Sequence, residues 1–134
     1  MATTTATIIL ASTDLLSDEL ALTTSATLTG ADNSTGITNT SGLSRKTVSG
    51  GHAQYTLFDG SDYTADKAHK LYLKNISTTA AEFFLITVNS EDIGRLYAGD
   101  WAFFPWNNHD GAADIKITPS VSTSITLEYM LFID

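Results

Sequence analysis

The chain has 134 residues and a net charge of −8, with 43% hydrophobic and only 16% charged residues. That length suits one domain with a true hydrophobic core, and the acidity disfavours binding to phosphate backbones and to anionic membrane surfaces. There is no cysteine, which excludes disulfides and thiolate metal sites, and no segment approaches the roughly 20 apolar residues of a membrane helix.

In chain order, Met1 to Leu10 lacks a basic region, so no secretory signal is expected. Ser12 to Leu22 carries Leu15, Leu16, Leu20 and Leu22 behind the possible caps Ser12 and Thr13, a pattern compatible with a helix. Its Thr-rich flanks and the alternation from Leu20 to Leu22 favour a strand or extended loop instead. Thr23 to Gly51 is rich in Thr, Ser, Gly and Asn, with the turn-prone run Gly30-Ala31-Asp32-Asn33-Ser34 and the pair Gly50-Gly51. Too long for a free loop, it reads as an extended β-arm lying on the body or on a neighbouring subunit.

Strands become clear from Ala53 onward. Gln54 to Phe58 ends at the turn Asp59-Gly60-Ser61, and Lys70 to Ile76 alternates with Leu71 and Leu73 on one face. Ala81 to Asn89 is apolar on both faces, through Phe83, Phe84, Leu85, Ile86 and Val88, and should be central and buried. Ile93 to Tyr97 leads to the turn Ala98-Gly99-Asp100. Trp101 to Phe104 follows and is expected to stop at Pro105, which lacks a ladder donor. After the polar loop Asn107 to Gly111, Ala113, Ile115 and Ile117 alternate with Asp114, Lys116 and Thr118. Ile125, Leu127, Tyr129, Leu131 and Ile133 form a last inward row, which predicts a C-terminus paired into a sheet. Short strands separated by regular turn signals predict an all-β, antiparallel β-sandwich, jelly-roll-like, over residues 1–134. Residues 1–51 would be an extended N-terminal arm with edge strands and 52–134 the sandwich body.

Few residues point to chemistry. His52, His69 and His109 are scattered without metal-ligand spacing, and Asp59, Asp62 and Asp66 do not follow a calcium-loop pattern. There is no nucleophile elbow and no phosphate loop. Asn33-Ser34-Thr35, Asn39-Thr40-Ser41 and Asn75-Ile76-Ser77 fit the short glycosylation pattern, which without a secretion signal reads as chance. No enzyme, cofactor or metal is expected. The densest feature is the aromatic run Tyr97, Trp101, Phe103, Phe104 and Trp106 around Pro105. It is open to three readings: a core corner, an exposed anchor patch of the kind that dominates interfaces, or a sugar-stacking platform. Arg45 and Lys46 are the only basic residues of the arm and either pin it to a carboxylate on a neighbour or are simply solvated.

The stretch Leu71 to Asn107, LYLKNISTTAAEFFLITVNSEDIGRLYAGDWAFFPWN, resembles a pattern in small structural proteins of marine and cyanobacterial tailed phages. The shared phrases are a strand ending K-N-x-S (Lys74 to Ser77), a second apolar strand, a short x-G-R-L strand (Ile93 to Leu96) and a G-D-W-x-F-x-P turn (Gly99 to Pro105). The likeness extends to the Thr-rich start and to Leu43-Ser44-Arg45-Lys46-Thr47. It implies a β-sandwich made in many copies on a virion. The expectation that follows is a capsid decoration, or cement, protein on the head surface, binding the major capsid protein and itself as a homotrimer, with no nucleic acid or membrane as partner. A tail, neck or baseplate ring component and a receptor- or glycan-binding module are the alternatives.

Overall fold

The computed structural model of the protein describes residues 3–15, 17–32, 34–51, 54–120 and 123–134. Met1, Leu16, Asn33, His52 and Ala53, which carry expectations above, lie outside the described residues. Alternating side chains dominate the chain, and the elements that form are strands: β1 (Thr5–Ser12), β2 (Leu20–Thr27), β3 (Asn39–Thr40), β4 (Ser44–Val48), β5 (Tyr55–Phe58), β6 (His69–Asn75), β7 (Phe83–Val88), β8 (Glu91–Tyr97), β9 (Trp101–Trp106), β10 (Ile115–Pro119) and β11 (Ile125–Ile133). Among the described residues there is no α-helix, only two three-residue 3-10 turns at Gly60–Asp62 and His109–Gly111.

Two antiparallel sheets pack face to face as a β-sandwich. The smaller has the order β5-β10-β7-β8. In the larger, β11 and β6 are central, β9 closes one side, and β3 and β4 both pair with the opposite side of β11. The alternation of β6 sends His69, Leu71, Leu73 and Asn75 inward. They meet Leu127 and Leu131 of β11, Phe84 and Ile86 of β7, and Ile115 and Ile117 of β10 in one continuous core. β7 is an interior strand of its sheet, as its apolar faces imply. β3 and β4, within residues 1–51, are edge strands of the sandwich itself. β1 and β2 form a separate two-stranded hairpin.

The expectation that the ladder stops at Pro105 is corrected. β9 runs on to Trp106, with Pro105 opposite Lys70 and Trp106 opposite His69. As β9 is an edge strand, a residue without an N–H can sit there with its nitrogen toward the free side.

The chain passes between sheets at a corner built on Asn75. Its side chain is fully buried. Nδ2 donates to the carbonyls of Leu96 at 3.0 Å and Glu82 at 3.2 Å, and Oδ1 accepts from Ser77 N–H at 3.0 Å. Its backbone N–H donates to Asp100 at 3.0 Å and its carbonyl accepts from Gly99 at 2.9 Å. Gly99 takes φ +84°, a conformation that favours glycine. The phrases K-N-x-S, x-G-R-L and G-D-W are therefore parts of a single hydrogen-bonded junction.

Candidate functional site

The period of two in β9 divides the aromatic run. Trp106 is buried, donating from Nε1 to the Ala113 carbonyl at 2.8 Å and stacking edge-on to Tyr63 at 5.4 Å. Phe104 packs against the core. Trp101 and Phe103 point the opposite way, and Trp101 is 50% exposed. Tyr97, on β8 of the other sheet, is 42% exposed and lies 5.2 Å from Phe83. The run thus serves as core at Phe104 and Trp106 and as surface at Tyr97, Trp101 and Phe103.

Cross-strand register makes the outer face of the larger sheet a mixed aromatic and basic surface. Trp101 stands opposite Lys74, Phe103 opposite Tyr72, and Tyr72 opposite Met130. Phe103 and Phe132 meet edge-to-face at 6.1 Å. Arg45, on the same face, holds Glu128 through Nη2 and Nε at 3.0 Å each, and Tyr72 donates its hydroxyl to Glu128 at 3.2 Å. Burial, and then the hydrogen bond to Glu128, raise the Tyr72 pKa above the ordinary phenol value. Lys46 sits on the inward side of β4, 4.6 Å over the Tyr55 ring, and bridges the rim between the sheets. Arg45 and Lys46 therefore both have partners within their own chain. Lys74 forms no ion pair among the described residues.

The second feature is the β1–β2 hairpin. Its register places Ala6, Ile8 and Leu10 opposite Ala26, Thr24 and Leu22, an apolar row on one face. At its base Leu28 and Ile37 are buried, tied by the Ile37 N–H to the Leu28 carbonyl at 3.1 Å. There the row meets the edge of β9 across a cleft of about 280 Å³ lined by Ala6, Ile8, Leu28, Phe103 and Pro105. Farther out the row leaves the body: Leu10 is 48% and Leu22 47% exposed, with Ile9 at 67% on the reverse face. Two strands alone are only marginally stable in water. The alternation Ala6, Ile8, Leu10 was the available signal for this arm, and the notable cation Lys74 had none in the sequence beyond its place in a strand.

Among the described residues, the titratable groups fall into separate, locally bonded sets. His69 is buried, with one ring nitrogen on the Thr64 carbonyl and the other taking the Asp134 N–H. Asp59 caps its own turn through Ser61. The described acidic group that does assemble is Asp66 with His109 and Asp110, not Asp59 with Asp62 and Asp66. Both His109 nitrogens lie 3.1 Å from a carboxylate, Nδ1 from Asp66 and Nε2 from Asp110. The Asp66 hydrogen bond, and then the Asp110 charge, raise the His109 pKa. All three residues are exposed, and the two carboxylates hold the imidazole between them.

Asn75, in the glycosylation-like triplet Asn75-Ile76-Ser77, has its amide fully engaged in the corner. No protein-family model matches the chain, and no curated protein matches its sequence.

Proposed function

We propose that this chain is a structural subunit of a tailed-bacteriophage particle, and that its role is capsid decoration. The observation that carries the reading is a closed sandwich bearing a projecting hairpin whose strands have no charged residue and whose apolar row runs out into solvent. Such a surface loses little on desolvation and can be buried against protein. Repetition over a particle then multiplies modest contacts through effective concentration. The likeness of Leu71 to Asn107 to phage structural proteins supports the particle as the setting, since the phrases that carry it are structural joints and not catalytic ones.

Quantitative mass spectrometry of purified particles tests the proposal. Decoration of the head requires a copy number comparable to that of the shell subunits. A copy number of one small ring transfers the chain to the neck, tail or baseplate, and absence from the particle ends the reading.

A receptor- or glycan-binding role is the second reading, favoured by one observation: Trp101 is half exposed beside Lys74, an aromatic face with a polar neighbour. Binding of isolated protein to a glycan array, lost in Trp101→Ala, would support it against decoration.

A further inference from the structure

We infer that the β1–β2 arm of one subunit lies on the outer face of the larger sheet of a second copy of this chain. The inference rests on the reading of the protein as a subunit that binds protein, and not on which particle it serves.

Area is the first argument. The accessible surface is 7744 Å² for a mass of 14.4 kDa, whereas a compact monomer of that mass exposes about 6,800 Å². The excess, roughly 900 Å², matches the share of about 800 Å² that one partner contributes to a standard interface. Much of the exposed apolar surface responsible sits on the arm, at Ile9, Leu10, Leu15 and Leu22.

Charge is the second. No Lys or Arg precedes Arg45, while the arm's tip carries Asp14, Asp18 and Glu19. The outer face of the larger sheet bears Lys74, without an ion pair among the described residues, and Arg45, held by Glu128; Lys70 is on the same face, donates to the Ala68 carbonyl and lines the cleft beside its own arm. An acidic tip on uncharged strands is complementary to an aromatic face that carries a net excess of cations, and both belong to the same sequence. Dimensions agree: eight-residue strands span about 27 Å and the nine residues of β11 about 30 Å. The arm begins beside Phe103 and Pro105 of its own body and runs past them, so Leu10 and Leu22 reach a neighbour's face and not their own. Each subunit gives one arm and receives one, a head-to-tail contact that closes on itself only in a ring or an exchanged pair.

Sedimentation equilibrium of the full chain tests this, with far-UV circular dichroism to confirm folding. The wild type is expected at a multiple of 14.4 kDa. Reversing the tip (Asp14→Lys, Asp18→Lys, Glu19→Lys) or the face (Lys70→Glu, Lys74→Glu) should each raise the apparent dissociation constant by at least about tenfold. The chain carrying all five changes should recover association. Leu10→Ser with Leu22→Ser, which alters only the outer arm, should give folded monomer. A monomeric wild type, or oligomers indifferent to the arm and face variants, overturns the inference. A monomer that still loads onto particles through its arm overturns it too and leaves the decoration reading standing. An arm-dependent oligomer missing from particles does the reverse.

Discussion

His69 Nδ1 accepts the backbone N–H of Asp134 at 3.1 Å, while Nε2 lies 3.0 Å from the Thr64 carbonyl. This pair of bonds fixes one neutral tautomer, with the proton on Nε2, in a fully buried ring 5.5 Å from Trp106. Replacing the ring by an apolar side chain orphans a buried carbonyl and an amide. His69→Leu should therefore cost about 2–4 kcal/mol in urea unfolding, with no change in the monomer's strand content by circular dichroism.

Asp134 contributes to the acid sensitivity of the fold. Its Oδ2 accepts from Ala31 N–H at 2.7 Å and Ala68 N–H at 3.0 Å, tying the arm's base to the body. The Ala68 bond, ahead of the Ala31 bond and the nearby Lys67 charge, lowers its pKa from 3.8. A depressed folded-state pKa means that the unfolded chain binds the proton more readily. The stabilisation is thus present above about pH 4 and is lost as pH falls through the lower folded value. Asp134→Asn should flatten the acid limb of the unfolding midpoint against pH. Part of the slope should persist, since Asp32 and Asp59 are lowered by their own turn hydrogen bonds.

At the inter-sheet corner, Asn75→Ala removes the donor to the buried Leu96 carbonyl and the acceptor of Ser77 N–H. A loss of about 2–3 kcal/mol is expected from guanidinium unfolding. Expression through a glycosylating secretory route should leave Asn75 unmodified in folded protein, checked by peptide mass mapping.

The two tryptophans should behave oppositely. Trp106→Ala opens a cavity among Phe58, Tyr63 and His69 and should cost about 3–5 kcal/mol. Trp101→Ala, on the surface, should change monomer stability by no more than about 1 kcal/mol. Iodide quenching of fluorescence in the single-tryptophan variants gives an independent check, strong for Trp101 and weak for Trp106.

The sandwich was legible because its strands alternate cleanly. Leu71 and Leu73, Ile115 and Ile117, and Leu127 and Leu131 occupy one face each, and all are core. Period two in Trp101 to Trp106 also contained the split of the aromatic run, although adjacency in sequence hid it. The ladder past Pro105 was hidden for a different reason: whether proline ends a strand depends on which side has a neighbour, and edges are set by topology. The arm's register was obscured because Thr and Ser alternate with Ala and give little contrast between faces. The cluster at His109 joins residues from two loops, Asp66 and Asp110, that only the fold brings together.

One consequence follows from the place of β11. This strand pairs with residues 39–48 on one side and with β6 on the other. A ribosome must therefore release Ile125–Ile133 before the larger sheet has its middle. Synthesis and folding are separated in time, with one ladder side of β6 unpaired until β11 has been translated. Nascent chains stalled upstream of Ser124 should engage holdase chaperones, and release of β11 should free them in one cooperative step.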